Sequence, residues 1–483
     1  MKLEAFKKKV LTDFTEPFDL KARDFLIAGK IPAVAFFIDT IAGGGRVALE
    51  IINPLSRLQD AKGKENLDFI TKAISSTCFF EIKEKYEDII TELLNGKTIV
   101  IVEGHTKKYI SCDTTVMPGR GVAEPPTNSV VMGPREGFTE NLVVNIGLIR
   151  KRLKTPDLTL VNHKVGQYSQ TNVSIMYIKS IADDDIVKNV EDHIKSINID
   201  GILDSFYIMQ YLQSEAFNIF RQVGSSEKPD VIASKLLEGR VIIIVDGSPI
   251  VLSVPYILLE DLQAADDYYN NNTIVSVRRF IRLLGAVFAI TIPGLYISLQ
   301  LYHYNILPLN TLFLVTNSIE NTPFSPLLEV LIVLILFEIM YEASLRMPRH
   351  LGAATSLVAA LVLGGAAVEA GLLSSPAVLV SALSMIMMYI LPNLAPQISL
   401  LRFVFTIIAG ILGLYGLIMA GILLVIYLAS LDNFGTPLLA PFAPYCPTDS
   451  QDAIIMKNIR DRTKRPTSFP NKNKTRAKNP GGE

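Results

Sequence analysis

Tryptophan is absent from this 483-residue chain, cysteine occurs three times, and neither sign of charge prevails. The missing tryptophan removes one of the usual anchors at a membrane–water interface and decides nothing by itself. Cys78, Cys112 and Cys446 are odd in number, far apart and without a CxxC pair, so they suggest neither a zinc site nor a disulfide framework. With 46 Lys+Arg against 47 Asp+Glu, the chain carries no global signature of a nucleic-acid binder. No HExxH, GxSxG or P-loop is present, and His105, His163, His193, His303 and His350 have no ligand spacing. The expectation is a non-enzyme with no cofactor, no metal and no nucleic-acid partner. The opening segment MKLEAFKKKVLTDF has basic residues without the apolar stretch a secretory signal needs, so the first domain is expected to stay in the cytosol.

Apolar residues are abundant, at 49% of the chain and a mean hydropathy of +0.34, and they are unevenly spread. From about Leu283 onward, five stretches approach membrane length: 283–302, 326–345, 353–373, 376–391 and 401–431. A span needs roughly 20 apolar residues, and several in series cannot be housed in a soluble core. Arg278, Arg279 and Arg282 precede the first stretch and place that end in the cytosol, and the tail after the last is also basic. Two cytosolic ends require an even number of crossings, which five stretches do not supply. Either one stretch is re-entrant or interfacial or the tail lies outside; stretch 326–345 is the suspect, because Glu329, Glu338 and Glu342 lie in it. Those carboxylates either pair with Arg346 or Arg349 or meet an ion. In 353–373, Thr355, Ala359, Val362, Ala366 and Glu369 share one helix face. Such a face lines a narrow pore or forms a packing seam, and spacing alone favours the seam.

The first half repeats itself. LLNGKTIVIVEG, from Leu93, matches LLEGRVIIIVDG, from Leu236, at an offset of about 143 residues. Residues 38–42 match residues 178–182 at nearly the same offset. Each copy reads as a strand, a helix, a second helix ending at Gly96 or Gly239, and a β-hairpin. The run Gly43-Gly44-Gly45-Arg46 lacks the Lys-Ser/Thr of a phosphate loop and reads as a plain turn. Between the copies, Gly and Pro mark a loop before a helix over 139–154, whose Arg150, Lys151, Arg152 and Lys154 read as a solvated helix end more readily than as an anion patch.

Longer motifs add a resemblance. VVMGPREGFTENLVVNIGLIRKRLKTPDL, with Gly133, Pro134, Arg135, Glu136, Gly137 and Phe138 in its loop, is similar to the signature of A-type subunits of GerA-class spore germinant receptors. So are Lys228-Pro229-Asp230 with LLEGRVIIIVDGSPIVLSVP, Asp266-Asp267-Tyr268-Tyr269, PGLYISL from Pro293, and Asn321-Thr322-Pro323-Phe324 with Glu329. AAVEAGLLSS from Ala366, LRF followed by GLYG at Gly413, Phe434-Gly435-Thr436-Pro437 and Ala443-Pro444 complete the set, which covers most of the chain from about Ser75 to Pro466.

The resemblance implies a nutrient-receptor subunit in the spore inner membrane, multi-pass, with its N-terminal domain facing the spore core. It implies a B-type transporter-like partner that binds the nutrient, a C-type lipoprotein partner, contact with membrane lipid, and a homo-oligomer, as a pentamer, acting as a nutrient-gated cation channel. That raises the pore reading of 355–369 above the seam. The alternative is a non-conducting membrane scaffold that assembles the B-type and C-type subunits. The chain departs from the family pattern where Ala353 and Gly365 replace glutamines and where Tyr341-Glu342-Ala343-Ser344 replaces Arg-Glu-Ala-Gly, which puts ion selectivity in question.

The fold expected is a duplicated α/β N-terminal cytosolic domain followed by an all-α polytopic transmembrane domain. Its map is a first repeat over 1–135, a linker helix region over 136–169 and a second repeat over 170–265. A transmembrane domain of four to five segments over 275–431 and a basic cytosolic tail over 432–483 follow.

Overall fold

The computed structural model describes residues 3–15, 17–58, 67–74, 77–105, 108–116, 132–213, 218–319, 322–346 and 365–476. The chain forms two compact units, one of Met1–Ile257 with Asn433–Thr436 and Ile459–Glu483, the other of Leu258–Asp432 with Pro437–Asn458.

The first unit contains two five-stranded antiparallel sheets. Strands β1 (Leu20–Ile27), β2 (Ile31–Ile38), β3 (Phe80–Lys83), β4 (Thr98–Val102) and β5 (Tyr109–Cys112) take the order β1-β2-β4-β5-β3. Strands β6 (Leu158–Val165), β7 (Thr171–Ile178), β8 (Gly224–Ser226), β9 (Val241–Val245) and β10 (Val251–Val254) take the order β6-β7-β9-β10-β8. Each number in the second list is five higher than its counterpart, so the sequence repeat is a structural duplication. Its principal helices are α1 (Leu3–Asp13), α2 (Leu67–Ile74), α3 (Tyr86–Leu94), α4 (Leu142–Arg152), α5 (Asp184–Ser196), α6 (Ser205–Leu212) and α7 (Pro229–Leu237).

The Ile/Val runs of β4 and β9 are buried at every position, because each sheet is covered on both faces. In β9, Ile242 and Ile244 enter one core with Ile146 and Ile149 of α4 and Ile232 and Leu236 of α7. Val241, Ile243 and Val245 enter the other, against Ile186, Val190 and Ile194 of α5. The same alternation divides β4, with Ile99 and Ile101 facing Phe6, Ile89 and Leu93 while Val100 and Val102 face Val47, Ile51 and Ile74. Gly96 and Gly239 end α3 and α7 at φ +87° and +97°, a conformation that a side chain would disfavour.

Several expectations change. Two strands per copy were not expected: β1 and β6 are half-polar edge strands, and β3 and β8 only three or four residues long. The linker region 136–169 holds α4 and then β6, so the second sheet starts before residue 170. Gly43-Gly44-Gly45-Arg46 is a helix interruption instead of a turn: Asp39–Ala42 is helical, Gly43 breaks it at φ +58°, and Gly44–Arg46 resumes it. Its counterpart Asp183-Asp184-Asp185 opens α5, where the Asp183 carboxylate accepts from the Asp185 and Ile186 amides. The basic tail is no free appendage. Lys472 N donates to Ile181 O at 2.9 Å and Arg465 Nε to Leu237 O at 2.7 Å, which ties residues 459–476 to the second repeat.

The second unit is helical: α8 (Asn272–Leu301), α9 (Leu309–Ile319), α10 (Pro326–Arg346), α11 (Ser375–Met388) and α12 (Ala395–Ser430). By length and composition, α8 and residues 392–430 are long and apolar enough to cross a membrane. The side-chain distribution on α12 separates it from the core helix of a soluble protein. Ile407, Ile411, Ile418, Ile422, Leu423 and Ile426 are exposed, whereas Ala395, Ser399, Arg402, Thr406, Ala409 and Gly410 are buried. Large apolar groups left outside, and an arginine, a serine and a threonine buried beside Ile398, Leu401 and Phe405, suit a lipid surround. Gly413 interrupts α12 at φ 63°, ψ −152°, a backbone region open essentially to glycine. The Tyr302 hydroxyl donates to the carbonyls of Gly410 and Ile411, both at 2.9 Å, just before the break.

Candidate functional site

Three groups of side chains stand out. The first is the loop Gly133–Phe138 of the first unit. Phe138 is buried in the core with α4 and α7, and its amide donates to Glu227 O at 2.8 Å. Pro134 O accepts from Lys228 Nζ at 2.8 Å, and Lys228 is buried. Two motifs about 90 residues apart, the loop and Lys228-Pro229-Asp230, thus form one contact. Glu136 accepts from Arg152 at 2.6 Å and Lys151 at 3.2 Å. Burial pushes the Glu136 carboxyl up, but Arg152 and Lys151 outweigh it and hold the group below the ordinary carboxylate value. Gly133 and Arg135 are exposed, and Gly137 is buried.

The basic end of α4 is therefore not solvated throughout. Arg150 is 2% exposed and donates to both oxygens of buried Asp19 at 2.6 and 2.8 Å. Thr40 Oγ1 donates to the same carboxylate at 2.9 Å, so the pair locks the two repeats together.

The second group lies at the foot of α8. Asp267, fully buried, accepts from Arg279 Nε at 3.0 Å, from Arg282 at 2.7 and 3.0 Å, and from Ala264 N at 3.1 Å. Burial raises the Asp267 pKa, but Arg282, the Ala264 amide and Arg279 together carry it below its ordinary value. Arg279 Nη1 also donates to Asp452 Oδ1 at 2.9 Å and to Ala453 O at 2.7 Å. Of the three arginines read as flanking charge, Arg279 and Arg282 are thus held by this network, and Arg278 is exposed.

The third group sits among the helices of the second unit. Arg402 of α12 is fully buried; its Nη2 donates to Glu338 of α10 at 3.1 Å and its Nη1 reaches Ser384 of α11 at 3.5 Å. Ser399 donates to the same Glu338 oxygen at 2.6 Å, and Ser384 donates to Ala289 O of α8 at 2.6 Å. Four helices therefore share one polar cluster. Arg402 Nε has no partner among the described residues. Glu329, also on α10 and fully buried, accepts from the Ser374 amide at the N-terminus of α11. A carboxylate there complements the helix dipole. Glu342 is exposed and accepts from Arg346 at 2.6 Å, an i,i+4 pair.

The three glutamates on α10 thus have three different surroundings; of the two arginines expected to neutralise them, Arg346 serves Glu342 and Arg349 lies outside the described residues. Arg402, Ser384, Asp267 and Asp452 were not singled out as site residues. Arg402 had a usable signal, being the lone charge within the apolar run 401–431. Of the proposed pore face, Thr355, Ala359 and Val362 lie outside the described residues; Ala366 and Glu369 are exposed at a short helix, Ala367–Glu369.

Comparison with known proteins gives this arrangement a context. "Spore germination protein KA" of Bacillus subtilis (strain 168) is 34% identical over 442 residues, 91% of this chain and 81% of that protein. "Uncharacterized membrane protein YfkQ" of the same organism is 34% identical over 403 residues, 83% of this chain and 77% of that protein. Among solved structures, the N-terminal domain of the A subunit of the Bacillus megaterium spore germinant receptor GerK3 matches 52% of this chain and 94% of that one, at 28% identity and a TM-score of 0.41. The family model described as "Bacillus/Clostridium GerA spore germination protein" matches residues 8–468, and the chain belongs to that family of membrane-associated spore germination proteins.

Proposed function

We propose that this chain is the A-type subunit of a nutrient germinant receptor in the spore inner membrane, and that copies of it assemble into a nutrient-gated cation channel. A B-type transporter-like subunit and a C-type lipoprotein complete the receptor, the former binding the nutrient. The observation that carries the channel reading is a charged and polar cluster buried inside the helical unit. Arg402, Glu338, Ser384 and Ser399 are gathered between helices whose outer faces are large and apolar. A scaffold needs no charged interior, and each such charge costs about 2.5–3.5 kcal/mol to place at mid-bilayer on insertion scales.

The number of crossings in this reading is even, because residues 433–436 and 459–476 belong to the same folded unit as the N-terminal sheets. Helix α11 has 14 residues and reaches about 21 Å, short of the ~30 Å hydrocarbon core, so it enters without crossing. The carboxylates of α10 do not count against it as a span, since Glu329 and Glu338 are partnered by other helices. Among the described residues the crossings are then α8, α10 and α12, and most of stretch 353–373 lies outside those residues.

Cysteines placed one at a time along 355–369, in a chain whose Cys78, Cys112 and Cys446 are replaced by serine, test the channel. Block of nutrient-triggered cation efflux by thiol reagents, stronger in the stimulated state, is expected at Thr355, Ala359, Val362, Ala366 and Glu369. Uniform insensitivity would give the scaffold reading instead.

A further inference from the structure

Ile41 and Ile181 hold matching places in the two repeats, as do Gly96 and Gly239. In the first repeat, Ile41 O accepts from Val116 N at 2.9 Å, and a side chain on Gly96 would meet Thr115 at 3.1 Å. In the second, Ile181 O accepts from Lys472 N at 2.9 Å, and a side chain on Gly239 would meet Asn471 at 3.1 Å. The same seat is thus filled by Thr115-Val116 in one repeat and by Asn471-Lys472 in the other. The first occupant is the direct continuation of β5, which ends at Cys112. Strand β10 ends at Val254, and the chain then leaves the repeat, since Leu258 already belongs to the second unit. The seat its continuation would have taken is left to the tail.

The tail arrives there as a loop braced by its own bonds. Arg465 N donates to Lys474 O at 2.9 Å, and Arg476 N to Thr463 O at 2.7 Å. Inside the loop, Arg465 Nη1 donates to Asn473 O at 3.1 Å and to Thr475 O, and Asn471 Nδ2 donates to Pro466 O at 2.8 Å and Phe469 O at 3.0 Å. A segment shaped by internal bonds loses little freedom on docking. Toward the repeat its contacts are mainly cationic. Lys472 Nζ donates to Asp184 at 2.6 Å and Lys179 O at 3.3 Å, and Arg476 reaches Glu238 at 3.5 Å. Arg465 Nε donates to Leu237 O, at the C-terminal end of α7, where a cation is favoured. One apolar anchor, Phe469, is buried beneath the Arg240 guanidinium at 4.1 Å.

We infer that the second repeat carries a peptide-docking groove at Ile181, Asp184 and Gly239, and that residues 463–476 are its ligand. That ligand comes off as a unit when salt screens its lysine and arginine contacts, and the repeat stays folded without it. The sheet and its two cores are built from residues 142–254, so undocking exposes the seat and leaves the core closed. In the first repeat no such release is open, because Thr115-Val116 follows β5 directly and its bond to Ile41 involves no charged side chain.

Hydrogen–deuterium exchange on the full-length chain in detergent tests this, with the Val116 amide as internal control for that of Lys472. Raising sodium chloride from dilute buffer to about 1 M, where the screening length falls to about 3 Å, should speed exchange at Lys472 about fivefold and leave Val116 and β9 unchanged. A Lys472 amide indifferent to salt, or one that accelerates only together with β9, would overturn the inference. A chain ending at Asn458 should bind a labelled synthetic peptide of residues 459–476 saturably, whereas the full-length chain, whose seat is filled, should not. Lys472→Glu in the peptide should weaken binding about tenfold, since it sets a second carboxylate against Asp184. Equal binding to both chains overturns the inference, as does no binding to a shortened chain whose exchange pattern over β6–β10 matches the parent's. Should the shortened chain not be recovered, the salt series on the full-length chain decides alone.

Discussion

Helices α5 and α12 differ in what they leave exposed: charged residues on α5, large apolar ones on α12. On α5, Ile186, Val190 and Ile194 face the sheet while acidic and basic residues face outward. On α12, an arginine, a serine, a threonine and small residues are buried together with Ile398, Leu401, Phe405, Leu417 and Leu428, while many other isoleucines and leucines are exposed. The first arrangement is stable because water rejects apolar surface. The second gains nothing from exposing polar groups, since lipid offers them no partner, so polar groups must find one another. One chain thus follows two solvent rules, and each of its polar contacts has to be weighed by the rule that applies.

The largest test of that contrast is Arg402→Ala, which leaves Glu338 without its cation. A loss of about 3–5 kcal/mol of stability is expected, as for breaking other buried pairs. It is checked by the temperature at which detergent-solubilised protein stops eluting as a folded species. The double substitution Arg402→Leu with Glu338→Leu should recover most of the loss; if the single variant elutes like the parent, the pair does not hold the helices.

Next comes a charge on the outer face. Leu423→Asp should cost about 2.5–3.5 kcal/mol in a lipid-facing helix. Reversal of the exposed Lys188 on α5, by Lys188→Glu, should change stability by no more than about 0.5 kcal/mol. Equal effects on membrane insertion would break the comparison. At the α12 interruption, Gly413→Ala forces a side chain into a glycine-only conformation and should cost about 1–3 kcal/mol, read from the same thermal elution. Gly421→Ala, in regular helix with open space around it, is the control and should be neutral or slightly stabilising.

Smaller effects are expected in the first unit. Asn141 caps α4 by accepting from the Val143 and Val144 amides, and Asn141→Ala should remove about 1 kcal/mol, seen as faster amide exchange over 142–146. Glu136 has its folded pKa depressed by Arg152 and Lys151, although burial opposes them. Its contribution is therefore fully present above the ordinary unfolded value and is lost as pH falls through the depressed folded one. Between neutral pH and acid, Glu136→Gln should flatten the decline in midpoint temperature; an unchanged slope would mean that the carboxylate contributes nothing.

The duplication was legible because its signals are local. Leu-Leu-x-Gly ending a helix, a β-branched run after it and an acidic-Gly turn can be matched letter by letter. Strands β1 and β6 escaped because edge strands carry exposed charges, such as Lys21, Arg23 and Asp24 of β1, and so lack the buried-strand pattern. The glutamates on α10 were visible as anomalies, but their partners were not. Arg402 lies 64 residues from Glu338 in sequence and Ser374 lies 45 from Glu329, beyond the reach of any periodicity.

By itself, then, the sequence determined the existence of two repeats, the division between a half of mixed composition and a strongly apolar half, and the family. Each follows from composition and short-range periodicity, which report the solvent a segment meets. Tertiary structure alone decided the pairings: Asp19 with Arg150, Glu338 with Arg402, and the tail against the second repeat. Residues far apart along a chain are brought together only when packing fixes every intervening turn, and no local pattern encodes that sum.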